Sequence, residues 1–213
     1  MDYLSLLLHI DESLQVAVEN YGPLLYAILF LIILCETGLV VTPFLPGDSL
    51  LFATGAIAAL GDLDIIFLWL LLCTAAIVGD SINYAAGSWF GERIFNGKIP
   101  FLKPAYLERT HSFFARYGAK TIVLARFVPI VRTIAPFVAG AGTMHYRTFL
   151  TFNVAGSLLW VTLFLLGGYY FGQIELVKNN FEAVIFIIIA LSLVPPFVEW
   201  WREKRKAKKA LSP

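Results

Sequence analysis

Cysteine is almost absent from this chain: only Cys35 and Cys73 occur in 213 residues, each inside an apolar stretch. Two cysteines allow at most one bridge and match no metal-ligand spacing, so both read as small buried hydrophobes rather than as a disulfide scaffold or a thiolate site. Histidine is as scarce. His111 and His145 fall in or beside loops and are expected to be exposed, and His9 near the start is uninformative. Charge is also low, at 15% of residues, against about a quarter in soluble domains. Lysine and arginine are missing from the whole front of the chain until Arg93, whereas Asp2, Asp11, Glu12, Glu19, Glu36, Asp48, Asp62, Asp64, Asp80 and Glu92 precede it. A secretory leader begins with positive charge, so no removable signal peptide is expected here. No glycine-rich phosphate loop follows a strand, no serine nucleophile elbow is present and no zinc spacing occurs, so neither enzymatic chemistry nor a metal or other cofactor is expected. Nothing points to nucleic acid.

What is present is apolar. Hydrophobic residues make up 59% of the chain and mean hydropathy is +0.76, which is the composition of a polytopic membrane protein. A hydrocarbon core about 30 Å thick needs about 20 helical residues to span it. The expected fold is therefore all-α and polytopic. It has about four full spans, two opposed re-entrant helical hairpins and an interfacial amphipathic helix. Residues 1–23 read as an N-terminal interfacial segment with Leu4, Leu7, Leu8, Leu14 and Val18 available to an apolar face. Residues 24–201 form a single transmembrane domain, and 202–213 a basic tail. Within the domain, Ile65–Phe90, Phe149–Phe171 and Phe181–Trp201 are long enough to span. Tyr106–Tyr117 is short and amphipathic, with Tyr106, Thr110, Phe113, Phe114 and Tyr117 on one side and Glu108, Arg109, His111 and Arg116 on the other.

Two apolar stretches are interrupted by proline, glycine and charge. The first, 34–60, contains Glu36, Pro43, Pro46, Gly47 and Asp48; the second, 121–142, contains Arg126, Pro129, Arg132 and Pro136. Each proline removes a backbone donor and disrupts the preceding turn. Irregular backbone at membrane depth is tolerated only where it is buried in protein or lines a cavity, so both stretches read as re-entrant hairpins. The basic tail and the basic segment 91–120 belong on the cytoplasmic side. Hairpin one then opens outward and hairpin two inward, and counting spans back places the N-terminus in the cytoplasm. Opposed broken segments in two halves are the sequence pointer to a transporter with its site near the midplane.

Four unpaired charges at the centre of a bilayer would cost on the order of 10–14 kcal/mol. Glu36, Asp48, Arg126 and Arg132 must therefore meet one another, water or a ligand. A guanidinium fork matches phosphate or carboxylate. On an unbroken helix two arginines six residues apart lie about 120° apart, but Pro129 between them frees both to aim at one point. Arg126 and Arg132 are thus the candidates for anion binding. Glu36 and Asp48 are the matching acids, able to carry a proton or to compete with a substrate anion. The same four residues also admit a purely structural reading, as ion bridges that fasten one hairpin to the other. Asp80, Asn83 and Tyr84 share a helix face and read chiefly as a polar packing seam, as do Asn153 and Trp160. Gly87 and Gly91 allow close helix contact.

These residues carry a family resemblance. Glu36-Thr-Gly with Pro46-Gly-Asp, Gly79-Asp with Asn83-Tyr, Arg126-Phe-Val-Pro-Ile-Val-Arg-Thr, Pro136-Phe-Val-Ala-Gly140 and Asn153-Val-Ala-Gly-Ser-Leu-Leu-Trp160 resemble the DedA family of VTT-type membrane proteins, over about residues 20–205. The resemblance implies a bacterial inner-membrane protein with a role in lipid transport and envelope maintenance. The implied cargo is undecaprenyl phosphate or a phospholipid, and the implied energy source the proton motive force. Its essential acids and arginines map onto Glu36, Asp48, Arg126 and Arg132; Asp48 departs from the pattern, since many members carry Glu after Pro-Gly. The expected function is a flippase- or scramblase-like lipid transporter whose partners are anionic phosphate head groups and protons. Two rival readings stand beside it: a proton-coupled exchanger of small cations or drugs, and a structural scaffold. Lipid identity, direction, coupling and oligomeric state are not readable from the sequence.

Overall fold

The computed structural model describes residues 10–39, 47–59, 61, 63–95, 104–142 and 144–178. Helix α1 spans Ile10–Gly38, α2 Gly47–Ala58, α3 Ile65–Phe95 and α4 Pro104–Tyr117. A 3₁₀ turn, Gly118–Lys120, leads into α5, Thr121–Ala125, then α6, Pro129–Ala141, and α7, Tyr146–Val161. A π-helical turn, Thr162–Leu166, joins α7 to α8, Gly167–Gly172, and α9 is Glu175–Lys178. Among the described residues there is no strand. The start of the interfacial segment, Pro43, Pro46, the expected span Phe181–Trp201 and the basic tail lie outside the described residues.

Two helical stretches are long and apolar enough to cross a membrane: Ile65–Phe90 and Tyr146–Gly172. Both carry outward-facing apolar side chains, among them Ile66, Leu70, Val78 and Ile82 on the first and Leu159 and Leu163 on the second. Helix α1 runs unbroken through Pro23, across the boundary that the sequence suggests at residue 23. Cys73 is buried as expected, but Cys35 faces outward from α1, where a small apolar residue suits a lipid-facing surface equally well.

The second broken stretch is interrupted at Arg126–Val128, between α5 and α6. Val128 is extended, at φ −122° and ψ 103°, as expected of a residue before proline. Pro129 opens α6, where its missing N–H costs nothing. The first stretch has the same plan: α1 ends at Gly38 and α2 begins at Gly47 with Asp48 in its first turn.

The second arm of each broken stretch packs on the long helix of the other half, and the two crossings are built alike. A Cβ on Gly55 of α2 would lie 2.0 Å from the Leu165 carbonyl oxygen, and one on Gly168 1.9 Å from that of Phe52. A Cβ on Gly140 of α6 would lie 2.0 Å from the Tyr84 carbonyl oxygen, and one on Gly87 2.0 Å from that of Phe137. In all four cases the carbonyl belongs to the residue three before the facing glycine. Such approaches are open only to glycine and let backbones meet directly. The halves thus exchange arms: α2 lies on the π turn and α8, and α6 on α3. Two apolar clusters flank the exchange. One gathers Ile33, Leu51, Leu68, Leu72, Trp160 and Leu165. The other gathers Ile122, Ala125, Val131, Ala135 and Phe149, with Phe113 and Phe114 of α4 packed against it.

Candidate functional site

A narrow cavity between the two halves is lined by Glu36, Thr37, Asp80, Arg126, Arg132, Thr133 and Trp160. The break before Pro129 delivers both arginines to it, but they hold different acids. Arg132 bridges the second broken stretch to the first: its Nη1 donates to Asp48 Oδ1 at 2.7 Å, and its Nη2 forms an ion pair with Glu36 Oε1. Arg126 forms its ion pair with Asp80 of α3. Its Nη2 also donates to Asn153 Oδ1 at 2.7 Å and to Ser157 Oγ at 2.6 Å on α7.

The expected matching of Glu36 and Asp48 to both arginines therefore needs correction: the acid of Arg126 is Asp80. The reason is geometric. Arg126 sits in the turn that closes α5, and α5 lies against α7, while α3 passes alongside with Asp80 inward. Gly156 makes room for the guanidinium, since a Cβ there would lie 3.1 Å from Arg126 Nε.

The site is graded in exposure. The Asp48 side chain is 39% exposed, that of Arg132 12% and that of Glu36 2%; the Arg126 and Asp80 side chains are each 5% exposed. Glu36 is walled in further. Its Oε1 accepts from the Gly47 backbone N–H at 3.2 Å, and its Oε2 occupies the space over Gly47, 1.7 Å from where a Cβ would be. A side chain at residue 47 and a carboxylate at residue 36 cannot coexist in this arrangement.

Trp160 joins the two centres. The Arg126 and Arg132 guanidinium carbons lie 5.7 and 5.9 Å from its ring, within cation–π range. Its indole N–H donates to Asp48 Oδ1 at 2.8 Å. Asn83 ties α1 to α6, with Nδ2 donating to Thr37 O at 3.1 Å and Thr133 O at 2.8 Å. Asn153 Nδ2 donates to Ile77 O at 3.0 Å, so α7 is fixed to α3 behind Arg126.

Tyr84 does not join this group. Its hydroxyl donates to Met144 O at 2.5 Å and its ring stacks on Phe149, 4.5 Å between centroids. It shares a face with Asp80, but one turn along the helix carries it past the cavity into the packing of α3 on α7. Ser157, Thr37 and Thr133 belong to the site and were not anticipated. For Ser157 the signal was available, since it follows Asn153 by four residues and shares its helix face. His111 and His145 are exposed as expected. Among the described residues no group of acidic, histidine or cysteine side chains could hold a metal ion.

The VTT domain model matches residues 45–170. Protein DedA of Escherichia coli K12 is 54% identical over 207 residues, covering 96% of this chain and 94% of that protein. An uncharacterized membrane protein of Mycobacterium tuberculosis H37Rv is 38% identical over 185 residues, 85% of this chain and 81% of that one. Inner membrane protein YqjA of Escherichia coli K12 is 31% identical over 189 residues, 85% of this chain and 86% of that one. No solved structure matches. Relatives of this identity and coverage, named as membrane proteins, agree with the two long apolar helices, and the chain is a membrane protein belonging to the DedA family.

Proposed function

We propose that this protein moves a lipid with an anionic phosphate head group, a polyprenyl phosphate such as undecaprenyl phosphate or a phospholipid, across the bacterial inner membrane. The observation that carries the reading is Arg132. It faces a cavity inside an apolar bundle, with two carboxylates sharing one guanidinium, each on its own nitrogen, and the outer one, Asp48, open to the surroundings. A structural ion pair needs one acid. A second, exposed acid on the same guanidinium is what an exchangeable anion site requires, because it can yield its place to a phosphate. Arg126, sealed against Asp80, Asn153 and Ser157, holds the cavity wall beside this site. Glu36 and Asp48 take up protons when the phosphate displaces them. The acyl or prenyl chain stays in the bilayer while the head group crosses between the broken stretches, which act as opposed re-entrant hairpins. Both termini face the cytoplasm.

The direct test is reconstitution of the purified protein in liposomes with a labelled undecaprenyl phosphate. Its accessibility is measured on each leaflet with and without a pH gradient. The wild type should exchange the lipid between leaflets and Arg132→Ala should not, at equal levels of folded protein. Equal rates for the two would refute the reading.

A second reading is supported by the complete pairing of the arginines with acids: a scaffold in which Arg132 fastens hairpin two to hairpin one. It predicts that no lipid moves and that the ion pairs serve stability alone.

A further inference from the structure

We infer that Asp48 is an internal stand-in for the transported anion, and that the Trp160 indole N–H is the second donor of the phosphate site it occupies. This deepens the proposed function and rests on it. Two donors from different helices converge on one atom: Arg132 Nη1 lies 2.7 Å and Trp160 Nε1 2.8 Å from Asp48 Oδ1. An anionic oxygen held by a guanidinium and an indole N–H is the bonding pattern of a phosphoryl oxygen as much as of a carboxylate. Asp48 is the carboxylate free to leave. It is the most exposed of the three acids at the site. It also stands in the first turn of α2, so a side-chain rotation withdraws it without moving the helix. Glu36, which shares Arg132, is pinned by the Gly47 N–H and packed over that glycine.

Withdrawal of Asp48 leaves the N–H of a tryptophan that is 1% exposed without its acceptor, which is unfavourable unless another oxygen replaces it. The occupant must therefore bring an acceptor oxygen to the same point, and the Arg132 guanidinium on that point favours an anionic one. A lipid phosphate supplies both the acceptor and the charge, and a neutral lipid alcohol supplies the acceptor alone. Trp160 also touches both guanidinium groups, so the wall that receives the phosphate keeps its positive lining when Asp48 swings out. By this reading Asp48 lowers the resting affinity of the site and Trp160 raises its affinity for phosphate.

The test uses the purified full-length protein in nanodiscs and farnesyl monophosphate as probe, with farnesol and inorganic phosphate in parallel, followed by calorimetry. Asp48→Asn should bind farnesyl monophosphate roughly tenfold more tightly than wild type. Adding Trp160→Phe should remove roughly tenfold, the size of one hydrogen bond to a charged group. Because a buried tryptophan variant can fail to fold, the wild type is also probed directly: carbodiimide labelling of Asp48, read by mass spectrometry, should rise when farnesyl monophosphate binds and stay unchanged with farnesol. Protection of Asp48 by the probe, or binding to Asp48→Asn no tighter than to wild type, would overturn the inference and leave the lipid-phosphate reading standing. Failure of every variant to bind farnesyl monophosphate would overturn both. Equal affinity for inorganic phosphate would support the stand-in role of Asp48 while showing that the site takes free phosphate rather than a lipid.

Discussion

Arg126 and Asp80, from the second broken stretch and the first long helix, form an ion pair closed off from the surroundings. This pair makes the remaining geometry intelligible. With Asp80 committed to Arg126, both Glu36 and Asp48 fall to Arg132, and the proposed anion site has one guanidinium rather than two.

The same pair sets the first stability prediction. Removing one partner of a buried ion pair strands the other and costs about 3–5 kcal/mol. Asp80→Asn and Arg126→Met should each lower the thermal unfolding midpoint in detergent by a large and similar amount. The double variant should fall by clearly less than the sum, because no lone charge remains. Additive losses in this double-mutant cycle would show that the two side chains do not stabilise each other.

The exchanged arms give a prediction at two adjacent residues. A Cβ on Gly168 would lie 1.9 Å from the Phe52 carbonyl oxygen, whereas one on Gly167 would meet its nearest neighbour, a Phe52 ring carbon, at 3.9 Å. Gly168→Ala must push α2 off α8, at a cost of about 1–3 kcal/mol. Gly167→Ala should be neutral or slightly stabilising, since alanine is the better helix former. Unfolding midpoints of the two variants, measured side by side, should separate clearly. Equal midpoints would mean that the crossing is not as tight as the structure has it.

Much of this was open to reading in the chain. The embedded charges, the prolines that break the helices around them and the scarcity of any other chemistry together pointed to a polar site inside an apolar protein. The partner of Arg126 was not readable. Asp80 sits in an uninterrupted apolar helix, and nothing in its local sequence tells whether it packs, pairs or binds. Tyr84 illustrates the limit of face arguments, because residues on one helix face diverge by a turn's length and can reach different neighbours. The repeated crossing was hidden for another reason. Phe52, Tyr84, Phe137 and Leu165 share only a glycine three residues later, a spacing too common to notice until the carbonyl contacts show its use. The π turn at Thr162–Leu166 falls in ordinary helix-forming residues. A hydrogen bond that holds it to α3, Trp69 Nε1 donating to Thr162 Oγ1 at 2.8 Å, crosses 93 residues of chain.

Arg132 holds two acids through two different nitrogens, and this distinguishes it from a simple positive charge. A lysine keeps the charge but offers a compact ammonium in place of the planar fork. Arg132→Lys should therefore fold, with a lowered unfolding midpoint, and retain less than about a tenth of the lipid exchange rate, since loss of one charge-assisted hydrogen bond is worth about 1.5–3 kcal/mol. Liposome exchange rates at matched protein density would check this. Full activity of the lysine variant would mean that only the field of the residue matters.

The charge swap separates a transporter from a scaffold. If Arg132 merely fastens the hairpins, Asp48→Arg combined with Arg132→Asp restores the fastening, and both stability and function return relative to either single change. If the cavity receives an anion, the swap returns stability but not transport. The arginine would then stand on α2 at the exposed mouth and the carboxylate on α6 beside Glu36, which places two negative groups where the phosphate must sit. Because a carboxylate at residue 132 would also repel the buried Glu36, Glu36→Gln is added to the swap, and the resulting protein should be folded and silent in the liposome assay. Recovery of both properties together would decide for the scaffold.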